Sequence, residues 1–289
     1  MRTPRRFLRS TAATLAALAI VAGAARAGGD LHPVEGVNAM PNVAQVVDGH
    51  LEATFRGPTK FDVALTERWR SNGKPVTRYD ADMTKLMHMI VISDDLRHFQ
   101  HVHPAIGKNG RATIALDVPA LGPYEIYADA VPHGAGQQVL RFKLFVGGRG
   151  VKTDEKDLAP TPATVAAGPY AVSLDSLKLA AGSTTMLAVH IAEHGHAARN
   201  LHPYLGGAAH AVFIDASDYS YVHVHPMQGT DMSMGAMDMG AERALPDSAG
   251  LKSDMMLHVR VPKAGTYKLW LQFRGGSGLY VAPFILKAA

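Results

Sequence analysis

The sequence contains no cysteine among its 289 residues. That excludes structural disulfides, thiolate zinc sites, iron–sulfur clusters, blue-copper centres and thiol catalysis, since each needs cysteine sulfur. Aromatic residues are sparse at 7%, yet 47% of the chain is hydrophobic and only 19% charged, the composition of a folded globular protein of one or two domains. After the first 27 residues no stretch approaches the ~20 apolar residues needed to span a bilayer. The catalytic signatures of the common enzyme classes are missing too: no nucleophile elbow, phosphate loop, dinucleotide fingerprint or His-Glu-x-x-His helix. The expectation is a non-enzyme.

A formal charge of +4 suggests nucleic acid or a membrane surface, but five arginines lie in the first 27 residues. Those residues read as a cleaved signal peptide. Arg2, Arg5, Arg6 and Arg9 form a basic start, Thr11 to Ala25 is apolar and small, and Ala25-Arg26-Ala27 is an A-x-A cleavage site. The remaining chain has 24 basic against 25 acidic residues, which removes the case for nucleic acid and implies a periplasmic or secreted protein. Arg5-Arg6 with Phe7-Leu8 leaves the export route open between the general and twin-arginine systems.

Laid against each other at an offset of 122, residues 61–104 and 183–226 repeat. Lys85 to Ile92, a turn at Asp94-Asp95 and His101-Val102-His103-Pro104 correspond to Gly207 to Ile214, a turn at Asp215 to Asp218 and His223-Val224-His225-Pro226. The closing segments Tyr124 to Tyr127 and Tyr267 to Trp270 stand 143 apart, so the second copy carries an insertion of about 21 residues. Short runs of Val, Ile, Tyr and Phe between Gly, Pro, Asp and Asn read as strands. The expected architecture is all-β: a signal peptide (1–27), an N-terminal extension (28–44), a first Ig-like or cupredoxin-like β-sandwich (45–148), a linker (149–168), and a second sandwich (169–289) with a methionine-rich insertion at 227–256.

Side chains two apart on a strand share a face, so His101 with His103 and His223 with His225 each present paired imidazoles. A hairpin centred near Asp94-Asp95 brings His88 opposite residues 101 to 103, and His210 stands equivalently in the second copy. A register slip of one residue would put His88 on the other face. Recurrence of three histidines at the same spacing points to metal; scaffold histidines at strand ends are the alternative. The insertion holds Met232, Met234, Met237 and Met239 with no other large apolar residue nearby, so these thioethers are expected to be exposed. Thioethers suit Cu(I) and imidazoles suit Cu(II) or Zn(II), which puts copper first and zinc second. The histidines at 194, 196 and 202 read as exposed loop residues. His32, His50, His133, His190 and His258 fit no spacing rule.

The pattern Tyr204-Leu205-Gly206-Gly207-Ala208-Ala209-His210, then Val222 to Pro226, then Gly265 to Phe273 resembles YtkA-like and cupredoxin-like sandwich domains of bacterial exported proteins. The resemblance implies heavy-metal handling, by analogy with periplasmic copper chaperones. The sequence departs from them in having Gly28, not histidine, at the expected mature N-terminus. The function expected is that of an exported metal carrier or buffer. Its partners would be a metal ion and a metal transporter or other exported metal-handling protein. The competing expectation is an extracytoplasmic structural or protein-interaction module.

Overall fold

The computed structural model describes residues 34–151, 154–228 and 244–289. The signal peptide and Met232, Met234, Met237 and Met239 lie outside these residues.

The protein is all-β, two β-sandwiches in tandem. In the first half, one sheet runs Val34–Glu35, Val47–Phe55, Lys60–Trp69, Ala112–Asp117, Ala105–Ile106, in that spatial order. The facing sheet runs Val37–Asn38, Gln138–Val146, Gly122–Pro132, Met87–Ser93, Phe99–Val102. The second half repeats the plan, with Thr164–Ala167, Tyr170–Leu174, Thr185–Glu193 and Asp254–Val259 in one sheet. Its facing sheet runs Lys178–Leu179, Gly278–Ala288, Gly265–Gly275, His210–Asp215, Tyr221–Val224.

The two sheets of a half differ in their burial rhythm. Val47–Phe55 and Lys60–Trp69 alternate buried with more exposed positions, as strands with one wet face do. Every residue of Met87–Ser93 and of His210–Asp215 is buried, so these strands are covered on both faces. Met87, Met89 and Val91 enter the core of the first sandwich. Ile90 and Ile92, on the opposite face, join Val212, Ile214 and Trp270 of the second half in a third core between the sandwiches.

That shared core obeys the internal repeat. Phe99 stacks on Trp270 with ring centroids 5.1 Å apart, and Tyr127 stacks on Tyr221 at the same separation. Shifting Phe99 by 122 gives Tyr221, and shifting Tyr127 by 143 gives Trp270, so the two stacks are equivalents. The interface is therefore isologous, each half offering the same patch to the other, as in a twofold dimer folded into one chain.

Candidate metal centre

The hairpin register resolves the slip that the sequence left open. Ile90 pairs with His101 and Met89 with Val102, which places His88 beside His103 and on the same face as His101. In the second half Val212 pairs with His223 and Ala211 with Val224. The histidines of both halves thus lie on the faces that meet, at one end of the shared apolar core. The two sequence triads are not separate. His88 lies 5.9 Å from His210 and 5.3 Å from His223 between ring centroids, and His101 lies 5.1 and 5.6 Å from the same two rings. Six imidazoles form one cluster.

Two of them act as hubs. His88 Nδ1 is 2.9 Å from His101 Nε2 and 3.3 Å from His103 Nε2. His210 Nδ1 is 3.2 Å from His223 Nε2 and 3.1 Å from His225 Nε2. The donor nitrogens of His210, His223 and His225 all fall within 4.8 Å of one another, as do those of His88, His101 and His210. His88 and His210 have no exposed surface, and His101, His223 and His225 have little.

The remaining ring nitrogens fix the tautomers. His210 Nε2 sits 2.8 Å from the Tyr204 carbonyl, which can only accept, so the proton is on Nε2 and Nδ1 offers a lone pair. His88 Nε2 faces the equivalent Asp82 carbonyl at 3.4 Å. Both carbonyls belong to matching tight turns, Asp82 to Lys85 and Tyr204 to Gly207, whose second residues, Met83 and Leu205, have φ of 53°. Non-glycine residues in the left-handed region cost energy, and the turns hold that strain beside the hub histidines.

The outer histidines are oriented across the interface. His101 Nδ1 donates to Gln272 Oε1 of the second half at 2.9 Å, and His223 Nδ1 donates to Asp129 Oδ2 of the first half at 3.3 Å. Asp129 also accepts from the Tyr221 hydroxyl at 3.0 Å and from Gln137 at 2.8 Å. Asp129 and Gln272 are repeat equivalents, since 143 residues separate them, and they pair in register with His88 and His210. Each half therefore aims a histidine of the other. The sequence reading missed both residues. Their signal was available as a polar side chain at the same place in each otherwise apolar closing strand.

With these protons placed, His88 Nδ1 faces His101 Nε2 and His210 Nδ1 faces His223 Nε2 as lone pairs, an arrangement that repels unless a cation sits between them. Metal–imidazole bonds of about 2.0–2.1 Å in tetrahedral geometry set ligand nitrogens roughly 3.3 Å apart, the scale seen here. The electrostatics favour the same state. Burial, then the neighbouring imidazoles, push His210 and His223 well below the ordinary histidine pKa. Burial followed by His223, His88 and His103 does so for His101. His103 is pushed down to about 3, by burial first and then by His88 and Lys85. Neutral imidazole is the ligating form.

A cleft of about 310 Å³ reaches the cluster, lined by Asp82, Val131 and Gln137 of the first half and by His223, His225, Met227 and His258 of the second. Met227 exchanges backbone hydrogen bonds with Met256 at the cleft edge. Met87 and Met89, which flank His88 in sequence, are core residues that point away from the cluster. His194 is an exposed turn residue, whereas His196 lies exposed in the short strand His196–Ala197 and His202 is half-buried in the strand Leu201–His202, so these two are not the loop residues expected; His50, His133 and His190 pair with Glu35, Asp80 and Asp254 at the surface.

No curated protein matches the chain. Among solved structures it is similar to the native Escherichia coli alpha-2-macroglobulin, at 9% identity over 84% of this chain and 17% of that one, with a TM-score of 0.25. A Salmonella alpha-2-macroglobulin reacted with methylamine matches at 8% identity over 84% of this chain and 17% of that one, TM-score 0.23. The BSP domain of a biofilm-associated protein matches at 9% identity over 90% of this chain and 52% of that one, TM-score 0.19. This chain thus spans a small part of the macroglobulins, and nothing of their activity is carried over to it. Residues 45–147 and 163–289 match the family described as domain of unknown function DUF8832, and the chain belongs to that family.

Proposed function

We propose that this is an exported metal carrier or buffer whose six-histidine centre holds copper. The observation that supports the reading is the convergence of buried imidazole lone pairs whose opposite nitrogens are already committed to oxygen acceptors. Orientation of a ligand histidine through its second nitrogen is the usual support of a metal site. Imidazoles alone suit zinc as well as copper; the thioethers of Met232, Met234, Met237 and Met239, in the segment that follows Met227 at the cleft, favour copper.

The test is titration of the protein from Gly28 onward with Cu(I) under anaerobic reducing conditions, and separately with Cu(II) and Zn(II), against chelators of known affinity. Binding tighter than about 1 μM is expected, with Cu(I) the tightest. Replacing His88 and His210 by alanine is expected to weaken it about 100-fold or more. Replacing the four insertion methionines is expected to weaken Cu(I) selectively. Binding no tighter than micromolar for all three ions would make the histidines scaffold and leave a protein-interaction module.

The crossed orientation gives a second expected result. Asp129→Ala should lower metal affinity about 10- to 100-fold, although Asp129 is not a ligand. Chelator competition on the folded variant checks this, and an unchanged affinity would show that His223 is held by its packing alone.

A further inference from the structure

We propose that the outer face of the second half carries an entry track for Cu(I), formed by Met186, His258, Met256 and Met227, that delivers the ion to the histidine centre. The inference rests on the metal reading above and adds the route by which the ion arrives.

Strand register sets the four side chains on one face. In Thr185–Glu193 and Asp254–Val259, Leu187, Val189, Met255, Leu257 and Val259 are buried in the core of the second sandwich. Successive side chains on a strand point to opposite faces, so Met186, Met256 and His258 point outward. Met186 pairs with His258, and Met256 stands two residues before His258 on the same strand. On its other side Met256 pairs with Met227, the two exchanging backbone hydrogen bonds of 2.8 and 2.9 Å. Residues directly opposite on antiparallel strands share a face, with Cβ atoms about 5 Å apart. Three thioethers and an imidazole therefore stand as a chain of neighbours.

One end of this chain is open and the other leads inward. Met186 is 47% exposed. His258 and Met227 line the cleft together with His223 and His225. His88 and His210 have no exposed surface, so an ion reaches them past an outer histidine, and the cleft brings it to two of those. The track also leads to the half whose own three histidines gather their ligand nitrogens within 4.8 Å.

The His258 ring is left uncommitted. Its Nε2 is covered and has no hydrogen-bond partner among the described residues, whereas His50, His133 and His190 face carboxylates. Leaving a covered ring nitrogen unpaired is costly, which singles it out as a group kept for a ligand. The repeat supplies an internal comparison. The outer face of the first half has Ala64 in Lys60–Trp69 and Thr113 and Ala115 in Ala112–Asp117, with neither methionine nor histidine among them. The track is thus no inheritance of the duplicated scaffold. Thioethers favour Cu(I) over Zn(II), and neighbouring donors let the ion pass by exchanging one ligand for the next with no change of oxidation state.

The experiment follows Cu(I) transfer from a coloured chelator, bicinchoninate, to the metal-free protein and back, by anaerobic stopped flow. The wild type is compared with a methionine variant (Met186→Leu, Met227→Leu and Met256→Leu) and with His258→Gln. Leucine keeps the volume of methionine, and all four side chains face away from the sandwich core, so either variant serves if the other fails to fold. Loading and release are both expected to slow about 10-fold in each, because an entry ligand lowers the barrier in both directions. In the methionine variant the slowing is expected to be selective for Cu(I) over Zn(II). Equal Cu(I) rates in all three proteins overturn the track and leave the metal reading standing. Release that becomes faster would make these residues holders of the resident ion, and equal slowing for Zn(II) would make the face a general passage; either overturns the Cu(I) track. Absence of transfer to the wild type overturns the metal reading and the track with it.

Discussion

Acidification should destabilise the metal-free protein steeply below pH 6.5. His101, His210 and His223 are buried and held neutral, with folded pKa values well below 6.5, while in the unfolded chain each takes up a proton as pH falls through 6.5. The unfolded state then binds more protons than the native one, so stability rises with pH and is lost on the acid side. His103, pushed down to about 3, acts in the same sense, and each proton of difference contributes up to about 1.36 kcal/mol per pH unit. Three buried acids work against them, since burial raises Asp129 and Glu125 as well as Glu67. Glu67 has a folded pKa pushed up to about 7 and keeps its proton where the unfolded chain releases it, which subtracts one proton between pH 4.5 and 7. The four imidazoles outnumber the acids, so the net slope keeps the sign set by the histidines. A domain with typical stability of about 5–15 kcal/mol would be close to unfolding within a few units. Urea denaturation of the chelated protein at pH 7.5, 6.5 and 5.5 measures the slope. A flat profile would mean that the imidazoles are already protonated and solvated in the native state.

This acid lability originates in the feature that the sequence revealed least. The strands themselves were legible: alternation in Val47–Phe55 and the uninterrupted apolar run before the Asp94-Asp95 turn identify them, and the 122-residue offset identifies the repeat. Hairpin pairing then follows from a short turn, which is why His88 could be expected beside His101 and His103. What covers the second face of Met87–Ser93 was not legible. A run buried on both sides reads the same whatever covers it, and here the cover is the equivalent face 122 residues on. The bond from His101 to Gln272 spans 171 residues and that from His223 to Asp129 spans 94. Neither leaves a local pattern, since each polar residue sits in a closing strand that otherwise looks like core.

The same repeat shows where the fold carries an expense that it does not require. Replacing Glu67 with glutamine should stabilise the protein at pH 8 by about 3 kcal/mol. Glu67 lies in Lys60–Trp69, its side chain has no exposed surface, and the Tyr79 hydroxyl stands near its carboxylate without reaching good hydrogen-bond geometry. Burial raises its pKa to about 7, the charge of Asp129 adds to this, and Tyr79 opposes it. Folding at pH 8 therefore forces the ionised carboxylate into an apolar setting. The shift of about 2.5 pH units from 4.5, at 1.36 kcal/mol each, sets the cost. Glutamine keeps the shape and removes the titration. The sign follows from the proton count: the contribution of a raised carboxyl is present below pH 4.5 and lost as pH rises through 7, so the advantage of the variant should shrink to roughly half at pH 5.5 and vanish in acid. The second half indicates that the sandwich does not need an acid here, because Val189 occupies the equivalent position and is buried in that core. Denaturant midpoints at pH 8 and 5.5 for wild type and Glu67→Gln settle the matter. An equal gain at both would show that the glutamine amide, not the lost charge, does the stabilising, and a loss at pH 8 would show that the carboxylate holds a partner of its own.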